Sequence, residues 1–188
     1  MRSVARYLYP VGPPHFLRLE YGLPGMPRRP DYSFRDLAPG VNFATASDRY
    51  AAWVGQIYSA EADYKTTKTD KTIKGEKFVE EKFPVRSVTE FFEHYGALEI
   101  DFTFYAFLLD EKRQPSRNYK PLVEYANYIP KDALVLLKVP EAITATSRWQ
   151  TVKGKRALAP NTQHLNPESF VAQFYEPAID VLGKRIAG

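Results

Sequence analysis

One run constrains the fold more than any other: Ala133-Leu-Val-Leu-Leu-Lys-Val139, apolar throughout except for one lysine. A run so short and so uniformly apolar reads as a strand covered on both faces, as in a parallel sheet flanked by helices. A helix is predicted just before it, from about Pro121 through Leu122, Tyr125, Ala126 and Ile129, stopped by Pro130. The same order occurs one unit earlier. Ser87-Val-Thr-Glu90 has capping-box spacing, Val88, Phe91, Phe92 and Tyr95 share one face, and Gly96 closes the helix. Residues 97–102 then alternate, with Leu98, Ile100 and Phe102 on one side and Ala97, Glu99 and Asp101 on the other. A third helix starts at Asn166-Pro167, buries Phe170, Val171, Phe174, Ala178, Val181 and Leu182, kinks at Pro177 and stops at Gly183. With residues 41–46 as a first strand, three βα units predict a parallel α/β architecture.

The joints are unequal. Helix-to-strand connections are short, Gly96 alone and then about four residues, whereas the strand-to-helix connections 47–86, 103–118 and 141–165 far exceed the usual two to six. All three follow strand C-termini, the ligand face of parallel α/β folds. Residues 1–40 hold seven of the fifteen prolines and read as an extended arm, separate from a domain over 41–188.

Four motifs carry a family resemblance: Tyr50-Ala-Ala-Trp53-Val-Gly-Gln-Ile-Tyr58, Ala97-Leu-Glu-Ile-Asp-Phe-Thr-Phe-Tyr105, Leu137-Lys-Val-Pro-Glu-Ala-Ile-Thr144 and Asn166-Pro167. From about Val41 to the C-terminus the chain resembles the YecE-like proteins, which carry the domain of unknown function 72 and have a TIM-type (β/α) barrel. Arg148-Trp149 resembles the branch of that family with a long third loop. Two positions depart from the family pattern: Ala44-Thr-Ala-Ser-Asp48 replaces a glycine-rich ending, and Ala145 replaces a histidine. The resemblance implies a partial barrel, because a full one has eight strands in about 250 residues. The expected fold class is therefore a partial TIM-type barrel of three βα units with long strand-to-helix loops, Gly188 falling where a fourth strand would begin.

Glu99 and Asp101 share a parity that turns them into such a barrel, where paired carboxylates serve as acid and base or bind a cation. The alternative is that Glu99 only pairs with a cation and holds strands together. Lys138 is the expected partner: an amine there holds an anionic substrate, or acts as a base if its pKa is depressed. These three are the candidate catalytic residues. Thr103 and Tyr105 follow the second strand, and Tyr50, Trp53, Arg148 and Trp149 lie on the other two loops, as candidate ligand-binding residues. Loop packing is the alternative for Trp53. His164, in the third loop, is a further candidate without a partner at ligand spacing.

Composition removes whole classes. The chain has no cysteine and only three histidines, far apart, so disulfides, thiolate chemistry, iron–sulfur clusters and histidine-rich metal centres are excluded. No Gly-x-Gly-x-x-Gly, phosphate loop or Gly-x-Ser-x-Gly elbow is present, and no cofactor or metal is expected. Its longest apolar run is too short for a bilayer crossing, no leader is apparent, and the expected location is cytoplasmic. The three long loops hold 15 basic against 10 acidic residues, within a chain of net charge +4. The Lys65 to Lys82 run mixes both signs and reads as solvated surface. The leading expectation is a small anionic, phosphorylated or sugar-like ligand at the strand C-termini. The alternatives are a nucleic-acid-binding module using basic, aromatic loops, and an assembly piece that self-associates through an open strand edge.

Overall fold

A computed structural model describes residues 33–35, 37–59, 64–152 and 154–188. The proline-rich arm thus lies almost wholly outside the described residues.

The parallel α/β reading holds. Strands β1 (Ala44–Thr45), β4 (Ala97–Ile100) and β5 (Leu134–Leu137) form one parallel sheet in that order, with Ala44 opposite Ala97 and Leu98 opposite Val135. Helices α1 (Val88–His94) and α2 (Tyr119–Tyr128) make the crossovers. Val88, Phe91, Phe92, Leu122 and Tyr125 are buried with Leu98, Ile100 and Val135 in one core. Past Arg185 the chain returns to the sheet. Ile186 bridges Val135 in parallel, Ala187 N–H donates to Val135 O at 2.9 Å and Leu137 N–H to Gly188 O at 2.8 Å. Residues 186–188 therefore lie where a fourth strand runs. Among the described residues the sheet is open and closes no barrel.

That openness corrects one expectation. The 133–139 run is covered unequally on its two faces: Val135 is fully buried, whereas Leu136 on the other face is 37% exposed. That second face is covered at Ala97, 2% exposed, and keeps solvent access at Leu136.

Local signals were partly overridden. Ser87 already has helical backbone, since a 3₁₀ turn over Val85–Ser87 feeds into α1, and it makes no cap. Glu90, freed from the predicted capping box, accepts instead from Ser59 N–H at 2.8 Å and Tyr64 hydroxyl at 2.7 Å. Helix α2 begins two residues before Pro121. The third helix opens as predicted, with Asn166 Oδ1 accepting from Ser169 N–H at 3.0 Å and Gly183 ending it at φ 60°.

Within it, Pro177 produces a widened turn: α4 (Pro167–Phe170) and α5 (Glu176–Leu182) are joined by a π turn over Val171–Tyr175. Proline offers no N–H to the carbonyl four residues back, that of Gln173. This carbonyl accepts from Leu108 and Leu109 N–H, each at 3.0 Å, and so anchors the loop after β4.

Two long loops contain structure that was not foreseen. Residues 47–86 carry an antiparallel hairpin of β2 (Thr67–Ile73) and β3 (Glu76–Lys82), and 141–165 carry a short helix α3 (Glu141–Thr144) and a hairpin of β6 (Ser147–Val152) and β7 (Lys155–Pro160). Lys74 and Gly75 turn the first at φ 51° and 88°, the two positive angles a tight hairpin needs. The charged run is solvated, as expected: β2 is exposed throughout and ion pairs cross the hairpin, Lys68 to Glu81 at 2.8 Å among them.

Candidate functional site at the strand C-termini

Strand β4 stops at Ile100, not Phe102. Asp101 turns into a 3₁₀ segment, Phe102–Tyr105, so the strand ends just past Glu99 and its last polar side chain faces the open side of the sheet. Lys138 follows β5, and its N–H donates to Ile100 O at 3.3 Å. Its ammonium lies 2.9 Å from Glu99 Oε1, the predicted pair, with the two side chains 44% and 32% exposed. The hydrogen bond to Glu99 raises the Lys138 pKa, and the charge of Asp101 adds to it. This shift is opposite to the depression that a lysine base needs.

Thr103 is also corrected. It is fully buried, and its hydroxyl sits 3.0 Å from Ile100 O and 2.8 Å from Lys138 O, so it ties the end of β4 to β5. Its one hydroxyl hydrogen is committed to backbone and it has no exposed surface, so it presents no donor to a ligand.

Beside Glu99 and Asp101 opens a cavity of about 100 Å³ whose other walls include Asp48, Arg49, Lys82 and Tyr125. None of these four was among the predicted site residues. Asp48 Oδ1 accepts from Tyr125 hydroxyl at 2.9 Å and lies 3.7 Å from Arg49 Nε. Arg49 donates from Nε to Tyr125 hydroxyl at 2.8 Å and from Nη1 to Phe83 O at 2.9 Å. Tyr58 hydroxyl donates to the Asp48 backbone carbonyl. Burial pushes the Asp48 carboxyl above its ordinary pKa, opposed by the Arg49 charge and the Tyr125 bond. Tyr125 is raised well above the usual phenol, by burial first and then by Asp48. The signal in the sequence was position alone: Asp48 lies just after the first strand, and Tyr125 was read only as core.

The first hairpin leans over this mouth. Tyr50 bridges Lys82 in antiparallel fashion, and the Lys82 ammonium stands 6.0 Å above its ring. Glu80 binds Lys71 at 2.9 Å and Lys82 at 3.4 Å. The hydrogen bond to Glu80 raises the Lys71 pKa, and Tyr50 and Tyr105 are near enough to contribute.

The remaining predicted residues scatter. Trp53 packs edge-on to Tyr50 at 5.2 Å and against the core, which is the loop-packing alternative. Tyr105 is 61% exposed at the rim. Arg148 lies 4.0 Å from Glu141 and lines a separate groove of about 540 Å³ with Asp110, Lys112, Gln163 and Gln173. Trp149 is 61% exposed, with the Arg156 guanidinium 5.3 Å over its ring. His164 is half-buried in the turn after β7 and lines neither cavity. Among the described residues, no three His, Asp or Glu side chains come together as a metal-ligand set, and no helix is long and apolar enough to cross a membrane.

Comparison with known proteins finds no matching family, no matching curated protein and no matching solved structure.

Proposed function

We propose that the chain is the opening part of a YecE-like (β/α) barrel that binds a small, uncharged, sugar-like ligand at the C-terminal ends of β1, β4 and β5. Three consecutive parallel strands and the placement of residues 186–188 support the barrel half of this reading. The ligand half rests on one observation. The cations around the cavity are already engaged by protein groups, Lys138 by Glu99, Lys82 by Glu80 and Arg49 by Tyr125 and Phe83. What remains at the mouth is mainly carboxylate acceptor, from Glu99, Asp101 and Asp48. Of the expected ligand classes, the sugar-like one supplies hydroxyl donors to such acceptors without bringing a second negative charge.

Binding is tested by titrating erythritol and glucose 6-phosphate into ¹⁵N-labelled protein. The polyol should shift the amides around Glu99 and Lys138 to saturation, and Glu99→Gln should weaken it about tenfold or more, the loss expected for one hydrogen bond to a charged acceptor. A response to the phosphate ester alone would return the reading to an anionic ligand.

A second reading has its own observation. Trp149 is exposed on a hairpin with Arg148 and Lys155 and has Arg156 over its ring, which supports a reading in which it stacks on single-stranded nucleic acid. It predicts binding that falls steeply with salt, and a gel shift lost in Trp149→Ala. Absence of any shift at low ionic strength removes it.

A further inference from the structure

The cavity under the first hairpin contains a carboxylate oxygen that nothing around it completes. Asp48 is 5% exposed, and while Oδ1 receives the Tyr125 hydroxyl, Oδ2 is buried without a hydrogen-bond partner among the described residues. Buried carboxylate oxygens seldom stay unsatisfied, because the lost hydration is costly. None of the neighbouring donors among the described residues reaches Oδ2. Arg49 is committed to Tyr125 and Phe83, Lys82 to Glu80, and Tyr58 to the Asp48 backbone. Oδ2 is thus an open acceptor among the described residues, and Asp48 lines a cavity through which a ligand's donor can reach it.

The shape and charge of that cavity narrow the donor. At about 100 Å³ it has room for several waters or for a small polar group of a ligand. Its walls carry three acids, Asp48, Glu99 and Asp101, against two cations, Arg49 and Lys82, with Lys138 on Glu99 as a third. The balance is near neutral, so neither a free anion nor a free cation is favoured, and a hydroxyl meets Oδ2 at no charge cost.

We propose that Asp48 is the specificity-determining contact of this site, its Oδ2 accepting a hydrogen bond from a terminal hydroxyl of a small neutral polyol or sugar. Tyr125 and Arg49 are positioning residues that fix the carboxylate by its other oxygen. The inference rests on the polyol reading of the preceding subsection and names the group that the ligand must present.

The test follows the Asp carboxyl ¹³C signals of the full chain during titration with erythritol. In the wild type the Asp48 signal should move to saturation with the same Kd as the amides near Glu99. Asp48→Asn keeps an oxygen for Tyr125 but turns a donor toward the cavity, so it should weaken erythritol about tenfold to a hundredfold while melting as cooperatively as the wild type. If the wild type binds, Glu99→Gln weakens it and Asp48→Asn binds unchanged, the Asp48 assignment is overturned and the polyol site stands. If the Asp48 signal stays still while neighbouring amides saturate, the assignment is overturned without recourse to any variant. If erythritol saturates nothing in the wild type, the polyol reading fails and this inference fails with it.

Discussion

A carboxyl group with 5% exposure beside one arginine is pulled in two directions, and at Asp48 burial wins, raising its pKa above 3.8. The sign of the consequence follows from linkage. An acid whose folded pKa is raised binds its proton more tightly when folded, so wild-type stability should fall as pH rises from about 3.8 through the folded value. The groups facing it are Arg49, Lys82, Tyr125 and Tyr58, with Glu99 and Asp101 sharing the cavity. Asp48→Asn removes the titration, so its thermal midpoint should exceed the wild type's at pH 7 and approach it near pH 4. Paired melts across that range check this, and equal midpoints at all pH values would show that the Asp48 charge costs nothing. Lys138 has the opposite sign. Its raised pKa adds stability that is complete below 10.5 and is lost as pH climbs through the higher folded value. Because the pair is a third to nearly half exposed, Lys138→Met should move the melt little. Its larger effect should be on erythritol affinity, through the freed Glu99 carboxylate.

Among the elements, the helix ending at Gly183 shows how one residue type reaches across the fold. Pro177 cannot donate to Gln173 O, the turn before it opens to π geometry, and the released carbonyl takes two loop amides. Pro177→Ala supplies a competing N–H. It should speed hydrogen exchange at Leu108 and Leu109 while leaving α2 protected, and unchanged exchange at those amides would mean that the loop is held elsewhere. The hairpins make a second point. β2–β3 has no apolar face: its strands read Thr-Lys-Thr-Asp-Lys-Thr-Ile and Glu-Lys-Phe-Val-Glu-Glu-Lys, so hydrophobic periodicity was silent. Its information lay in Lys74-Gly75 at the turn and in opposite charges that meet only once the strands pair.

For the whole molecule, the core is a single cluster between the sheet and helices α1, α2 and α5. Phe91 is fully buried within it, and Phe91→Ala should cost about 3–5 kcal/mol in denaturant unfolding. The other sheet face is partly exposed, with Leu136 37% exposed beside the Glu99–Lys138 pair. We expect the chain to self-associate through this side. Light scattering behind size-exclusion chromatography should return about twice 21.5 kDa, and a monomer that melts cooperatively would show that the face tolerates water.

Sequence alone determined the parallel α/β class, the helix stripe of Val88, Phe91 and Phe92, the Asn166 cap, the Gly183 stop and the meeting of Glu99 with Lys138. Each depends on periodicity, a terminal residue or strand parity, which are local. Tertiary structure alone decided that the Thr103 hydroxyl sits between two strand ends, that Glu90 serves a loop and not a cap, and that the 133–139 strand is less covered on one side than on the other. It alone brought Asp48, Arg49, Lys82 and Tyr125 to one cavity with Glu99. Those four come from a loop, a hairpin and a helix, and no spacing along the chain encodes their approach. Burial, which gives Asp48 its raised pKa and its unsatisfied oxygen, exists only once the fold has closed around it.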